Sequence, residues 1–101
     1  MASITGTKVA CTEFAGYYKL VPITATITSK EDTITVNATD HGIAAIDAIV
    51  GAVITGGLDA AFSYLQVSFS GAVITVKSFE QDGTDATDFT DTTVTITVLG
   101  H

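Results

Sequence analysis

Apolar and polar side chains alternate along much of this chain, and alternation is the signature of a strand with one face buried. In Ile23-Thr-Ala-Thr-Ile-Thr28, the residues Ile23, Ala25 and Ile27 share one face and the three threonines the other. Ile34 and Val36 repeat the pattern against Thr33, Thr35 and Asn37. Leu65, Val67 and Phe69 oppose Gln66, Ser68 and Ser70, and Val94, Ile96 and Val98 oppose Thr93, Thr95 and Thr97. These runs predict four strands. Further strands are expected over Phe14 to Val21, Ala72 to Phe79 and Ile4 to Cys11, with turns at Ser29-Lys-Glu-Asp32 and Ser70-Gly71. Pro22 falls between two of these runs. Its missing N–H suggests a strand start, a bulge or an edge there.

The stretch Ile43 to Ile54 is ambiguous, because Ile43, Ile46, Val50 and Val53 also fit a helical stripe. A strand is expected, because Gly51-Ala-Val-Ile-Thr55 recurs letter for letter as Gly71-Ala-Val-Ile-Thr75 inside a stretch that reads as strand. Gly56-Gly57 ends the element, and a short helical turn is expected over Leu58 to Phe62. About seven short strands with no linker between them predict an all-β, single-domain antiparallel β-sandwich or small barrel over residues 1–101.

Composition strengthens the strand reading. Hydrophobic residues make up 47% of the chain and charged residues only 15%, and eighteen threonines, which are β-branched, carry much of the polarity. The net charge is −7, with Lys8, Lys19, Lys30 and Lys77 as the whole basic complement. Phosphate binding needs Lys or Arg to displace counterions, so nucleic acid is not an expected partner. Cys11 is the only cysteine, which excludes an internal disulfide and suggests core filler. The first eight residues carry neither a basic n-region nor an apolar h-region, so synthesis in the cytoplasm is expected. No apolar run reaches the length of a membrane-spanning helix, and no membrane association is expected.

Four features invite a chemical reading. The tandem triplets Asp82-Gly-Thr, Asp85-Ala-Thr, Asp88-Phe-Thr and Asp91-Thr-Thr93 supply carboxylates suited to a hard cation. A period of three does not fit one face of a strand, and the spacing is not that of an EF-hand, so the Asp82–Asp91 stretch is expected to be a solvated loop in which Asp and Thr close local turns. Asp40-His41-Gly42 pairs a carboxylate with an imidazole, but no nucleophile motif accompanies it. A turn with Gly42 at positive φ is the expectation. Asp47 sits in an apolar run and must face solvent or find a partner. Tyr17, Tyr18 and Tyr64 offer aromatic faces for a sugar, although adjacent tyrosines on a strand point to opposite sides, which favours packing. Asn37-Ala-Thr39 is a formal glycosylation sequon. No catalytic, cofactor-binding or metal site is assigned, and the chain is not expected to be an enzyme.

The order of elements, with Thr-rich paired strands, then Asn37-Ala-Thr-Asp-His-Gly-Ile43 leading into Ile46-Asp47, and a final Thr93-Val-Thr-Ile-Thr-Val-Leu-Gly100, resembles the small β-rich decoration, or cement, proteins of tailed-phage capsids. That resemblance implies a non-enzymatic virion protein on the outer capsid surface, bridging subunits of the major capsid protein lattice as a homo-oligomer, trimer or dimer. A carbohydrate- or calcium-binding β module, or a phage tail component, is the alternative.

Overall fold

The computed structural model describes residues 2–9, 12–14, 18–57, 62–87, 89 and 92–101. Six strands have five residues or more: β4 (Tyr18–Thr26), β5 (Glu31–Thr35), β6 (Ile46–Gly56), β7 (Tyr64–Ser70), β8 (Val73–Phe79) and β9 (Thr93–Gly100). Three are shorter: β1 (Ala2–Ser3), β2 (Thr7–Lys8) and β3 (Thr12–Phe14). One sheet has the order β1-β5-β8-β7; the other runs β2-β4-β9-β6, with β3 also on β4. All pairings are antiparallel except β1 with β5. The all-β antiparallel class expected from the alternation is the one observed.

The two sheets enclose one core, and the alternation decides which residues enter it. Val21, Ile23 and Ala25 of β4 lie opposite Val98, Ile96 and Val94 of β9, all buried. Ile34 of β5 and Ile74 and Val76 of β8 come from the facing sheet. On the outer side of the β4–β9 pair the threonines form a ladder, in which the hydroxyls of Thr24 and Thr95 lie 3.3 Å apart. Successive long strands mostly change sheet. Among the long strands described, β7 and β8 alone are consecutive neighbours within one sheet, turning at Gly71 with φ 60°, the positive value a primed two-residue turn needs at its first central position; the short β3 likewise pairs antiparallel with β4, which follows it.

The turn at Ser29-Lys30 links the sheets through a buried carboxylate. Asp32 is fully buried. It accepts hydrogen bonds from the Thr28 N–H at 2.9 Å and the Ser29 hydroxyl at 2.5 Å, with the Ser29 N–H at 3.3 Å. Burying such a group is tolerable because donors surround it.

Several boundaries differ from expectation. The runs Phe14 to Val21 and Ile23 to Thr28 are joined through Pro22 into the single strand β4, with Phe14 itself in β3. In a strand the N–H and C=O of one residue point to the same side, and the Pro22 carbonyl accepts from Val9 N–H at 2.8 Å. The missing donor therefore faces β2, and the β4–β9 ladder is unbroken. For the same reason β2 stops at Lys8: Pro22 has no N–H to return to Val9. The strand expected over Ile4 to Cys11 is thus cut to Thr7–Lys8 within the described residues, and Cys11 lies outside them. The strand expected over Ile43 to Ile54 is present but starts at Ile46. Residues 58–61 of the expected helical turn lie outside the described residues. Phe62 is buried in the core.

One short helix, α1 (Ala38–His41), was not expected. Asn37 caps it, its side-chain oxygen accepting from Asp40 N–H at 2.7 Å, and Gly42 ends it at φ 78°. The positive φ expected at Gly42 is observed. The Asp40 carboxylate accepts from the Asn37 side-chain amide at 3.0 Å.

Candidate functional site

The Asp40-His41-Gly42 corner is built for structure. His41 is 2% exposed. Its Nδ1 accepts from the Asn37 backbone N–H at 3.1 Å, and its Nε2 donates to the Gly6 carbonyl at 2.6 Å. These partners fix the Nε2–H tautomer and leave no ring nitrogen to meet a substrate. Lys19 donates to the Gly42 carbonyl at 3.1 Å and ties the same corner to β4.

Asp47 finds its partner at the other end of the chain. Its carboxylate accepts from His101 Nδ1 at 2.7 Å, while the His101 backbone exchanges hydrogen bonds with Ala44 and Ala45. Both side chains are about one-third exposed. Of the two outcomes open to Asp47, facing solvent or finding a partner, the structure shows a partly exposed carboxylate with a partner. The imidazole is within reach because β6 and β9 pair with Ile46 opposite Gly100.

The acidic loop divides into local contacts. The Asp82 carboxylate accepts from the Thr84 hydroxyl at 2.7 Å and from the Thr84 N–H at 3.0 Å, around Gly83 at φ 92°. The hydroxyl, with the backbone N–H second, holds the Asp82 carboxyl below its ordinary value of 3.8. Asp85 lies 3.4 Å from Lys30 Nζ, with both groups exposed. Asp82 and Thr84 take the turn-closing role expected for Asp and Thr, whereas Asp85 pairs with a residue distant in the chain. Asp88 and Asp91 lie outside the described residues, among which no cluster of three His, Cys, Asp or Glu groups could hold a metal ion.

The tyrosines do not share a platform. Tyr18 begins β4 and meets the His101 ring edge-on, with centroids 6.4 Å apart. Tyr64 begins β7 in the other sheet and stacks on Phe79 at 5.2 Å. The Gly71 turn lies at the His101 end, since its carbonyl accepts from Ile46 N–H. Tyr64 is the length of β7 away, roughly 20 Å at strand rise. Tyr17 lies outside the described residues. Beside Phe79 is an open groove of about 310 Å³, lined by Lys30, Glu31, Gln66, Lys77, Phe79 and Asp85. Its polar, mixed-charge lining around one aromatic ring suits a small polyhydroxylated ligand.

The sequence marks β6 as a strand but assigns it no functional role. The strand closes one edge of its sheet and lies against β7, the edge strand of the other sheet. Among the described residues its outward backbone makes one hydrogen bond beyond β9, from Ile46 N–H to Gly71. Val50 is 60% and Val53 58% exposed, and Gly51 and Ala52 between them are exposed as well. Four consecutive exposed residues on a strand mean that neither face is covered. Register shifts against β9 fall between Ile46 and Ala48, Ile49 and Gly51, and Ile54 and Gly56. The one at Val50 turns its side chain outward. Phe69 of β7, 38% exposed, adds apolar surface at the mouth of the sandwich. The available signal was the loss of alternation over Ala48 to Ile54 in a stretch without charge.

Among the described residues no helix is long and apolar enough to cross a membrane. Comparisons with protein-family models, curated proteins and solved structures find no match to this chain.

Proposed function

We propose that this protein is a non-enzymatic virion structural protein of the capsid-decoration kind, attaching to the outer surface of a phage head and bridging subunits of the major capsid protein. The observation that supports this reading is β6: a long edge strand with an exposed apolar centre is a ready template for protein–protein contact. The net charge of −7 adds complementarity to basic surfaces and opposes nucleic-acid contact. Several modest contacts made at once to a lattice give firm attachment. The test is to mix the purified protein with undecorated capsids and measure binding and shell stability across ionic strengths. Binding that weakens only partly at high salt is expected, because apolar contact is not screened. Failure to bind at every ionic strength would overturn the reading.

The groove beside Phe79 supports a second reading, a carbohydrate-binding β module. Saturable binding of a glycan, lost on Phe79→Ala, together with no capsid binding, would establish it in place of the first.

A further inference from the structure

We propose that the groove beside Phe79 is one end of a longer site, in which a neutral, extended oligosaccharide runs from that ring along β8 over the outer face of the β1-β5-β8-β7 sheet. The carbohydrate-binding reading is the premise, and the length, charge and course of the ligand are added to it.

Strand register lays out the face. Ile34, Ile74 and Val76 are buried in the core, so the period of two turns Thr33, Thr75 and Lys77 outward. From the Phe79 end, Glu31, Lys77 and Gln66 stand side by side, followed by Ser3, Thr33, Thr75 and Ser68, and then by Thr35, Val73 and Ser70. The first row offers a carboxylate, an ammonium and an amide, and none of these makes a hydrogen bond or ion pair among the described residues. Sugar hydroxyls both donate and accept, and this set answers both needs. The second row carries hydroxyls on all four strands, with no side chain larger than threonine to obstruct a chain laid across it. Phe79 and Val73 lie roughly 20 Å apart at strand rise, a length that several linked sugar rings fill and a single one does not.

The groove is braced at the aromatic end. Tyr64 stacks on Phe79 with the ring planes at 17°, yet Tyr64 does not line the groove. The uncovered side of the Phe79 ring is therefore the side offered to a ligand, and its negative π face attracts the C–H face of a pyranose. Ser78 N–H donates to the Lys30 carbonyl at 2.9 Å and Ala86 N–H to the Ser78 carbonyl at 3.0 Å, which ties both walls to β8. Charge decides the class of glycan. Lys30 and Lys77 are balanced within the groove by Glu31 and Asp85, and the net charge of −7 repels an anionic chain. Because β6 belongs to the other sheet, its edge stays free when the glycan is bound.

Calorimetric titration with cello-, manno-, xylo- and chito-oligosaccharides, each from monomer to hexamer, tests the proposal. For at least one series the affinity should rise about tenfold or more from monomer to tetramer. Phe79→Ala should weaken every length by about tenfold or more, and Lys77→Ala, on an exposed side chain, provides the same comparison should the first variant fail to fold by circular dichroism. Ser68→Arg, at an exposed position beside Thr75, should leave the dimer's affinity unchanged and bring the longer oligomers down to it, because the arginine blocks the path beyond the groove. Binding that is independent of chain length, or untouched by Ser68→Arg, would overturn the extended path while the carbohydrate-binding reading stands. Tighter binding of polygalacturonate oligomers than of every neutral series would overturn the charge assignment. No binding to any oligomer would remove the carbohydrate-binding reading and the proposal together.

Discussion

His41 Nε2 donates to the carbonyl oxygen of Gly6 at 2.6 Å, joining residues 35 positions apart. The bond holds the N-terminal segment on the corner that follows β5, and the other ring nitrogen accepts from Asn37 at 3.1 Å. Replacing His41 by Ala leaves a buried carbonyl and an N–H without partners and opens a cavity. A loss of about 2–4 kcal/mol is expected in urea unfolding, with native circular dichroism before the transition.

Gly6 is set by the same contact. A Cβ on Gly6 would collide with the Ile23 side chain and come within 3.0 Å of Ile34, the residues through which the sheets meet. Gly6→Ala should destabilise by about 1–3 kcal/mol through overpacking. A melting temperature equal to wild type would show that the segment shifts freely.

Asp32 should be sensitive for a different reason. Asp32→Ala strands the Thr28 and Ser29 donors in a turn that crosses between sheets, and a cost of about 2–4 kcal/mol follows. Exchange of the Thr28 and Ser29 amides, followed by NMR, should accelerate in the variant relative to the amides of β9.

The two copies of Gly-Ala-Val-Ile-Thr offer an internal control. Gly71 has φ 60° while Gly51 is extended, and a Cβ meets nothing within 4 Å at either. Gly71→Ala should cost about 1 kcal/mol in backbone strain. Gly51→Ala should be neutral or stabilise by up to about 1 kcal/mol, because Gly weakens a strand interior. Equal thermal shifts for the two variants would contradict this assignment.

Asp82 carries the pH prediction. Its carboxyl is held below 3.8 in the folded protein by Thr84, so its contribution to stability is present above the unfolded value and is lost as pH falls through the lower folded value. Carboxyl NMR titration should place Asp82 below 3.8, and Thr84→Ala should move it back up. Near neutral pH, Asp82→Asn with Asp85→Asn should leave the response to millimolar calcium unchanged, because Asp82 is engaged with Thr84 and Asp85 with Lys30.

The alternation by itself determined the class and most of the core. Ile23, Ile34, Ile74, Val76, Val94, Ile96 and Val98 are buried because period two sends every second residue to one face, and that is a local property of the chain. Turn chemistry was local too, so the bend at Ser29, the turn at Gly71 and the positive φ at Gly42 were legible. The tertiary structure alone decided which strands became neighbours. Pro22 can lie in mid-strand only because its missing donor faces the side where β2 ends. The same pentapeptide spans a strand interior at Gly51 and a turn at Gly71 because β9 holds one copy, while the other folds over on β7. Asp47 meets His101, and His41 meets Gly6, across distances in sequence that no periodicity encodes. The open edge at Val50 and Val53 likewise follows from sheet order, since a strand becomes an edge only when the fold has placed every other strand elsewhere.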